Sequence, residues 1–145
     1  MTARDYAVGR LSAMLKNGIL NPHVLDLVAR VRHTNTLVIS DWAFPFWPQI
    51  ETVDISLTHN IPTVLDVLEI LKPNFKIGKI WQAEEFLGVN SSAVIKAFDD
   101  SFADIPEISV TRLAHNDLKK LVPSAIGLIR TGDATPYGNI ILESA

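Results

Sequence analysis

The chain has 145 residues, 48% of them hydrophobic and 20% charged, with a formal charge of −3 and no cysteine. A pI near 5.7 and the lack of any basic run argue against nucleic-acid binding. Without cysteine, disulfides, thiol nucleophiles and thiolate metal sites are excluded, which fits a cytoplasmic location. No apolar run reaches the ~20 residues of a membrane helix, and no charged start precedes an apolar leader block. The length suits one domain with a real core, and the slight apolar excess suggests surface reserved for partner subunits.

In chain order, Met14–Leu15–Lys16–Asn17–Gly18 reads as a second start. Residues 1–13 are then an N-terminal extension, weakly amphipathic and either helical or loose, and 14–145 a single domain. Asn21 before Pro22 is a helix start, an N-cap followed by proline at the first position. Val24, Leu27, Val28 and Val31 continue at helical spacing to Arg32. Thr36–Ser40 reads as a strand covered on both faces. The stretch from Asp41 to Pro48 holds two prolines and four aromatic residues, a loop whose rings must bury against the fold, a ligand or another subunit.

Val53–Leu57 reads as a second strand. A helix over Pro62–Lys72 is apolar nearly all round and should be buried on two sides. Lys76–Ala83 gives a third strand. Asn90, part of an Asn90–Ser91–Ser92 glycosylation-like triplet, reads as the cap of a helix reaching Phe102. Glu107–Thr111 is a fourth strand, His115–Leu121 a short helix stopped by Pro123, Ala125–Arg130 a fifth strand and Ile140–Leu142 a sixth. This alternation predicts a three-layer α/β fold, a mostly parallel sheet of about six strands with helices on both faces.

Ligands of open α/β sheets gather just past the strands' carboxyl ends, which singles out Asp41. His33 marks the opposite end of the same strand. The histidines at 23, 33, 59 and 115 have no metal-ligand spacing, and neither a phosphate-binding glycine loop nor a nucleophile elbow is present. What remains near element ends is His33, Asp41, His115, Lys119, Tyr137 and Asn139. A carboxylate, an amide and a phenol together suit a small polyhydroxylated ligand, whose hydroxyls both donate and accept, and histidine adds a proton carrier.

Asn21 through Asp41, Val53–Thr58, Ile61–Pro62, Ala83–Glu85, His115 and Pro136–Leu142 resemble the D-ribose pyranase and L-fucose mutarotase family over essentially all of residues 14–142. The resemblance implies an isomerase that interconverts the cyclic forms of a free monosaccharide, without cofactor or metal, on an α/β fold assembled into rings. It places His33 on the family's proton-donating histidine and Asp41, His115, Tyr137 and Asn139 on sugar-contacting positions. Lys119 and Arg112 are further candidates for substrate binding. His115, Lys119, Thr135–Tyr137 and Val53–Thr58 look like the ribose branch; Phe44–Pro45, Arg112 and Gly138 look like the fucose branch. A non-catalytic sugar-binding accessory protein is the competing reading.

Eight residues separate His33 from Asp41, and an extended strand rises ~3.3 Å per residue, so their backbones should lie roughly 20–25 Å apart. Either the chain bends sharply at Thr34–Asn35 or a neighbouring subunit supplies one of the two groups. The expectation is a ring-like homo-oligomer, a decamer among the options, with sites at subunit interfaces. Trp42, Phe44 or Trp47 should form one wall of the site.

Overall fold

The computed structural model describes residues 18–145; the extension expected over residues 1–13 lies outside the described residues. The first helix, α1 (Pro22–Ala29), opens as its residues dictate. The Asn21 side chain accepts from the His23 and Val24 N–H groups, and Val24, Leu27 and Val28 are buried. Thr34, at φ 66°, turns the chain into β1 (Thr36–Ser40), and its N–H bonds the Ser144 carbonyl at 3.1 Å. There follow β2 (Glu51–Asp54), α2 (Val64–Leu71), β3 (Ile77–Ala83), α3 (Glu85–Val89), α4 (Ser92–Ala103), β4 (Ser109–Leu113), α5 (His115–Leu121), a 3₁₀ turn (Val122–Ser124), β5 (Gly127–Arg130) and β6 (Ile140–Ser144).

The strands form one sheet in the order β2-β5-β1-β6-β3-β4. β1, β2 and β5 pair in parallel, as do β3 and β4, while β6 runs antiparallel between β1 and β3. Side chains alternate across the sheet, so Leu37 and Ile39 join one core with α1, α2 and α4. Val38 joins the other, with Leu118 of α5, Val122 and Phe44. Helices thus cover both faces, and the architecture is the three-layer, mostly parallel α/β sheet of six strands read from the sequence.

Several boundaries differ from the sequence reading. The second strand is Glu51–Asp54, not Val53–Leu57: Asp54 Oδ1 accepts from the Ser56 N–H and hydroxyl, turning the chain out of the sheet. Pro62 does not open α2. The Ile61–Pro62 bond is cis, and Thr63 caps the helix in a reciprocal box with Asp66. α2 buries one side, through Val64, Val67, Leu68 and Leu71, and leaves Ile70 exposed. Ser91, not Asn90, caps α4. Asn90 ends the unforeseen α3 and donates to the Phe86 and Pro136 carbonyls, both at 2.9 Å. β4 lies two residues beyond its expected place, after Glu107 at φ 59°.

Candidate active site

The parallel strands all end at one edge of the sheet, and antiparallel β6 begins there. The chain leaves β5 on one side of β1 and enters β6 on the other, so residues 131–139 must cross over the end of β1. That crossing sets Tyr137 and Asn139 above Asp41. α5 begins at His115, and both Glu85 carboxylate oxygens, each 3.0 Å from the His115 N–H, hold its first turn. Together these segments enclose a cavity of about 280 Å³ lined by Asp41, Ala43, Phe44, Pro45, His115, Pro136, Tyr137 and Asn139. This is just under the ~300–1,000 Å³ of typical ligand clefts, as a very small ligand requires.

The polar groups are fixed before any ligand arrives. The Asn139 amide, 3% exposed, accepts from the Asp41 N–H at 2.7 Å and donates to Asp41 Oδ2 at 3.4 Å. Asp41 Oδ1 accepts from the Ala43 N–H at 3.1 Å. The His115 ring stands edge-on to Tyr137 (centroids 5.1 Å apart) and to Phe44 (6.3 Å). Its Nδ1 is buried without a protein partner. Tyr137 holds a left-handed backbone, φ 56°.

Burial raises the Asp41 carboxyl above the ordinary carboxylate value, against bonds from the Phe44 and Ala43 N–H groups and the Asn139 side chain; nearby Asp133 adds to the rise. Burial lowers the His115 imidazole, and the Lys119 ammonium one helical turn on lowers it further, against the pull of Glu85 and Asp41. A carboxyl shifted up and an imidazole shifted down in one cleft are the pattern of groups that exchange protons near neutral pH.

Of the residues singled out in the sequence, Asp41, His115, Tyr137 and Asn139 meet in this cavity. Lys119 acts on it through charge. Arg112 does not line it: its guanidinium bonds Gln82 at 3.2 Å and Asp99 at 3.3 Å. His33 is exposed at the other end of β1, a strand about 13 Å long; the bend at Thr34 joins α1 to β1 and does not carry His33 to the cavity. Phe44 alone of the loop rings lines the cavity. Trp47 packs on Phe44 (5.9 Å), while Trp42 turns to His59 (5.3 Å) over a separate hollow. Among the described residues no group of three or more histidines and carboxylates could hold a metal ion, and no helix is long and apolar enough to cross a membrane.

Sequence reasoning passed over Arg130 and Asp133. Asp133, 2% exposed, accepts from the Val64 and Thr135 N–H groups at 2.9 and 2.7 Å, tying the crossing segment to the start of α2. The signal that singled out Asp41, a charged residue at a buried strand's carboxyl end, applies equally to Arg130.

An α/β sheet whose carboxyl edge holds a small cleft of carboxylate, imidazole, phenol and amide defines a protein for a small polyhydroxylated ligand. The comparisons narrow the class: residues 14–145 match the RbsD / FucU transport protein family, and the chain belongs to it. It is 34% identical over 131 residues to a D-ribose pyranase of Staphylococcus haemolyticus and 37% over 134 to one of Streptococcus agalactiae; each match covers 90% of this chain and 97% of the relative. The structure of Bacillus subtilis RbsD complexed with D-ribose superposes with a TM-score of 0.79 at 32% identity, covering 91% of this chain and 98% of that one.

Proposed function

We propose that the protein is an isomerase that interconverts the cyclic forms of a free monosaccharide, D-ribose first, by general acid–base catalysis. The observation that carries this is the meeting of Asp41, His115, Tyr137 and Asn139 in one small cleft, in a chain over 30% identical to D-ribose pyranases. Ring opening delivers a proton to the ring oxygen and removes one from the anomeric hydroxyl, while the bond from the anomeric carbon to the ring oxygen breaks and a carbonyl forms. Reclosure through another hydroxyl gives the furanose; reclosure on the other carbonyl face gives the other anomer. Each positioned proton transfer contributes about 10²–10⁴-fold. Asp41, Tyr137 and Asn139 hold sugar hydroxyls, and His115, kept neutral by its surroundings, faces the reacting end.

His33 is the proton donor in this reading, and it comes from a neighbouring subunit. Its exposure at the far end of β1 and the exposed large apolar residues Leu57, Phe46, Ile61 and Trp42 support a ring-like homo-oligomer with interfacial sites. The cysteine-free composition supports a cytoplasmic location. One observation favours a second reading, L-fucose mutarotation: Phe44 and Pro45, the fucose-like pair, wall the cleft. Exchange spectroscopy on the anomeric protons of D-ribose, L-fucose and D-glucose tests both. Ribose accelerated most supports the proposal, fucose most the second reading, and unchanged exchange for all three would leave only a non-catalytic binder.

A further inference from the structure

Half of the cleft wall comes from one irregular loop. Asp41, Ala43, Phe44 and Pro45 line it, and no helix or strand organises residues 41–50. Two prolines in this stretch lack N–H groups, so the loop is poor in donors of its own. The part-buried carbonyls of Asp41 and Phe44 still need partners, since a buried carbonyl left unpaired is costly. One side chain meets that need. Arg130 Nη1 donates to the carbonyls of Phe44 (2.6 Å), Trp42 (3.1 Å) and Asp41 (3.4 Å), and Nη2 to that of Pro45 (3.3 Å).

The anchor of this guanidinium is rigid. Arg130 is the last residue of β5, in register with Ser40 of β1 and Asp54 of β2, and its carbonyl accepts from the Ile55 N–H at 2.9 Å. Its position is therefore set by a strand paired on both sides within the sheet, and the loop is set by it. A guanidinium presents five N–H groups in a planar fork, whereas an ammonium is a compact point donor. The two terminal nitrogens of the fork share the four carbonyls, three at Nη1 and one at Nη2.

We infer that Arg130 is the positioning residue of the sugar site: without touching the ligand, it gathers the carbonyls of residues 41–45 and so fixes the Phe44–Pro45 wall against His115. The inference rests on the functional reading above. When the fork is lost, the carbonyls turn outward to water and Phe44 leaves the wall. His115 and Tyr137, on other segments, stay in place, and the Asp41 carboxylate keeps its bond from Asn139. The cost falls on sugar binding and on discrimination between sugars of different size rather than on the rate at saturation.

The test compares Arg130→Lys and Arg130→Ala with the wild type for D-ribose and L-fucose, reading KM and kcat from exchange spectroscopy alongside the melting temperature. The expected result is a KM for ribose raised about tenfold to a hundredfold in Arg130→Ala, the scale of a misplaced binding wall. Arg130→Lys should show a smaller rise and a reduced preference between the two sugars, with kcat retained. Unchanged KM and preference in a folded Lys variant would overturn the inference. So would a rate that falls for both sugars alike at constant KM, as lost folded protein would give. Acrylamide quenching of tryptophan emission reads the loop without any sugar. Quenching of Trp42 and Trp47 should increase in the Lys variant, and unchanged quenching also overturns the role. A wild type that neither binds nor accelerates either sugar would sink the functional reading, and the quenching result would still decide whether Arg130 holds the loop.

Discussion

Replacing Asp41 by asparagine should separate the needs of the site from those of the fold. The two side chains have nearly the same shape, so packing is preserved. In the protein, Asp41 Oδ1 accepts from the Ala43 N–H and Oδ2 from Asn139 Nδ2. Asn139 cannot flip to suit a new partner, because its Oδ1 already takes the Asp41 N–H at 2.7 Å. An amide at position 41 must then either face Asn139 donor to donor or give up Ala43, a loss of about 1 kcal/mol. Against this, the substitution removes a carboxylate that burial already disfavours. With the carboxyl's folded pKa raised, the native state binds protons more readily than the unfolded one. Stability is therefore lost as pH rises from the ordinary carboxylate value to the folded one, and that cost persists at neutral pH. The two effects oppose each other, so the melting temperature should move by no more than about 4 °C. Catalysis has no such compensation. A sugar hydroxyl that donated to a charged oxygen loses about 2–3 kcal/mol, which lowers kcat/KM about 30- to 150-fold. Exchange spectroscopy on D-ribose with parallel thermal melts reads both. A variant that keeps its kcat/KM, or one that melts more than about 10 °C lower, would refute the assignment of Asp41 as a binding group outside the structural frame.

His33→Ala should abolish catalysed exchange and leave the thermal melt unchanged, because the side chain is exposed. Mixing it with Asp41→Ala subunits should restore part of the activity, whereas persistent inactivity after proven mixing would put both residues' work in one chain. His115 is held below its ordinary value by burial and by Lys119, so the acid limb of the pH–rate profile that belongs to its protonation should lie below the ordinary histidine range. Lys119→Gln should move that acid limb to higher pH, and an unmoved limb would remove His115 from the titration. Gly132→Ala should cost about 3 kcal/mol or more in denaturant unfolding. A Cβ there would lie 2.1 Å from the Thr58 carbonyl oxygen and 2.8 Å from that of Ile61.

Where local pattern and tertiary demand agree, the chain could be read directly. Thr36–Ser40 is a short apolar run buried on both faces, and His115–Leu121 a helix closed by Pro123; both lie where expected. The second strand was misplaced because Val53, Ile55 and Leu57 alternate as a half-buried strand does, yet the Asp54 side chain takes the Ser56 N–H and ends the ladder. Five residues of α3, with Gly88 among them, are too few for a helical period to show. The position of Arg112 beyond the cleft depends on Gln82 and Asp99, which chain order does not place beside it. The role of Arg130, though not its place at the carboxyl end of β5, is hidden for a related reason. Its partners are carbonyls 85 to 89 residues away, and every residue type carries a carbonyl.

The direction of β6 accounts for the site as a whole. In a fully parallel sheet, groups at the carboxyl edge all follow strands, as Asp41 follows β1 and His115 follows β4. Because β6 is antiparallel between β1 and β3, its first residues reach the same edge from the opposite sense. Asn139 and Tyr137 thus enter the site by preceding a strand, and the crossing that brings them is held by Asp133 at α2 and by Asn90 at the Pro136 carbonyl. The same geometry puts the other end of β1 out of reach: Thr34 and Ser144 close that edge through their backbones, and His33 faces solvent there. If His33 donates the proton, as proposed, one subunit carries the sugar-holding cleft and another the acid. Assembly is then a condition of turnover, and dilution to monomers would abolish catalysed exchange while leaving the cleft of each chain formed.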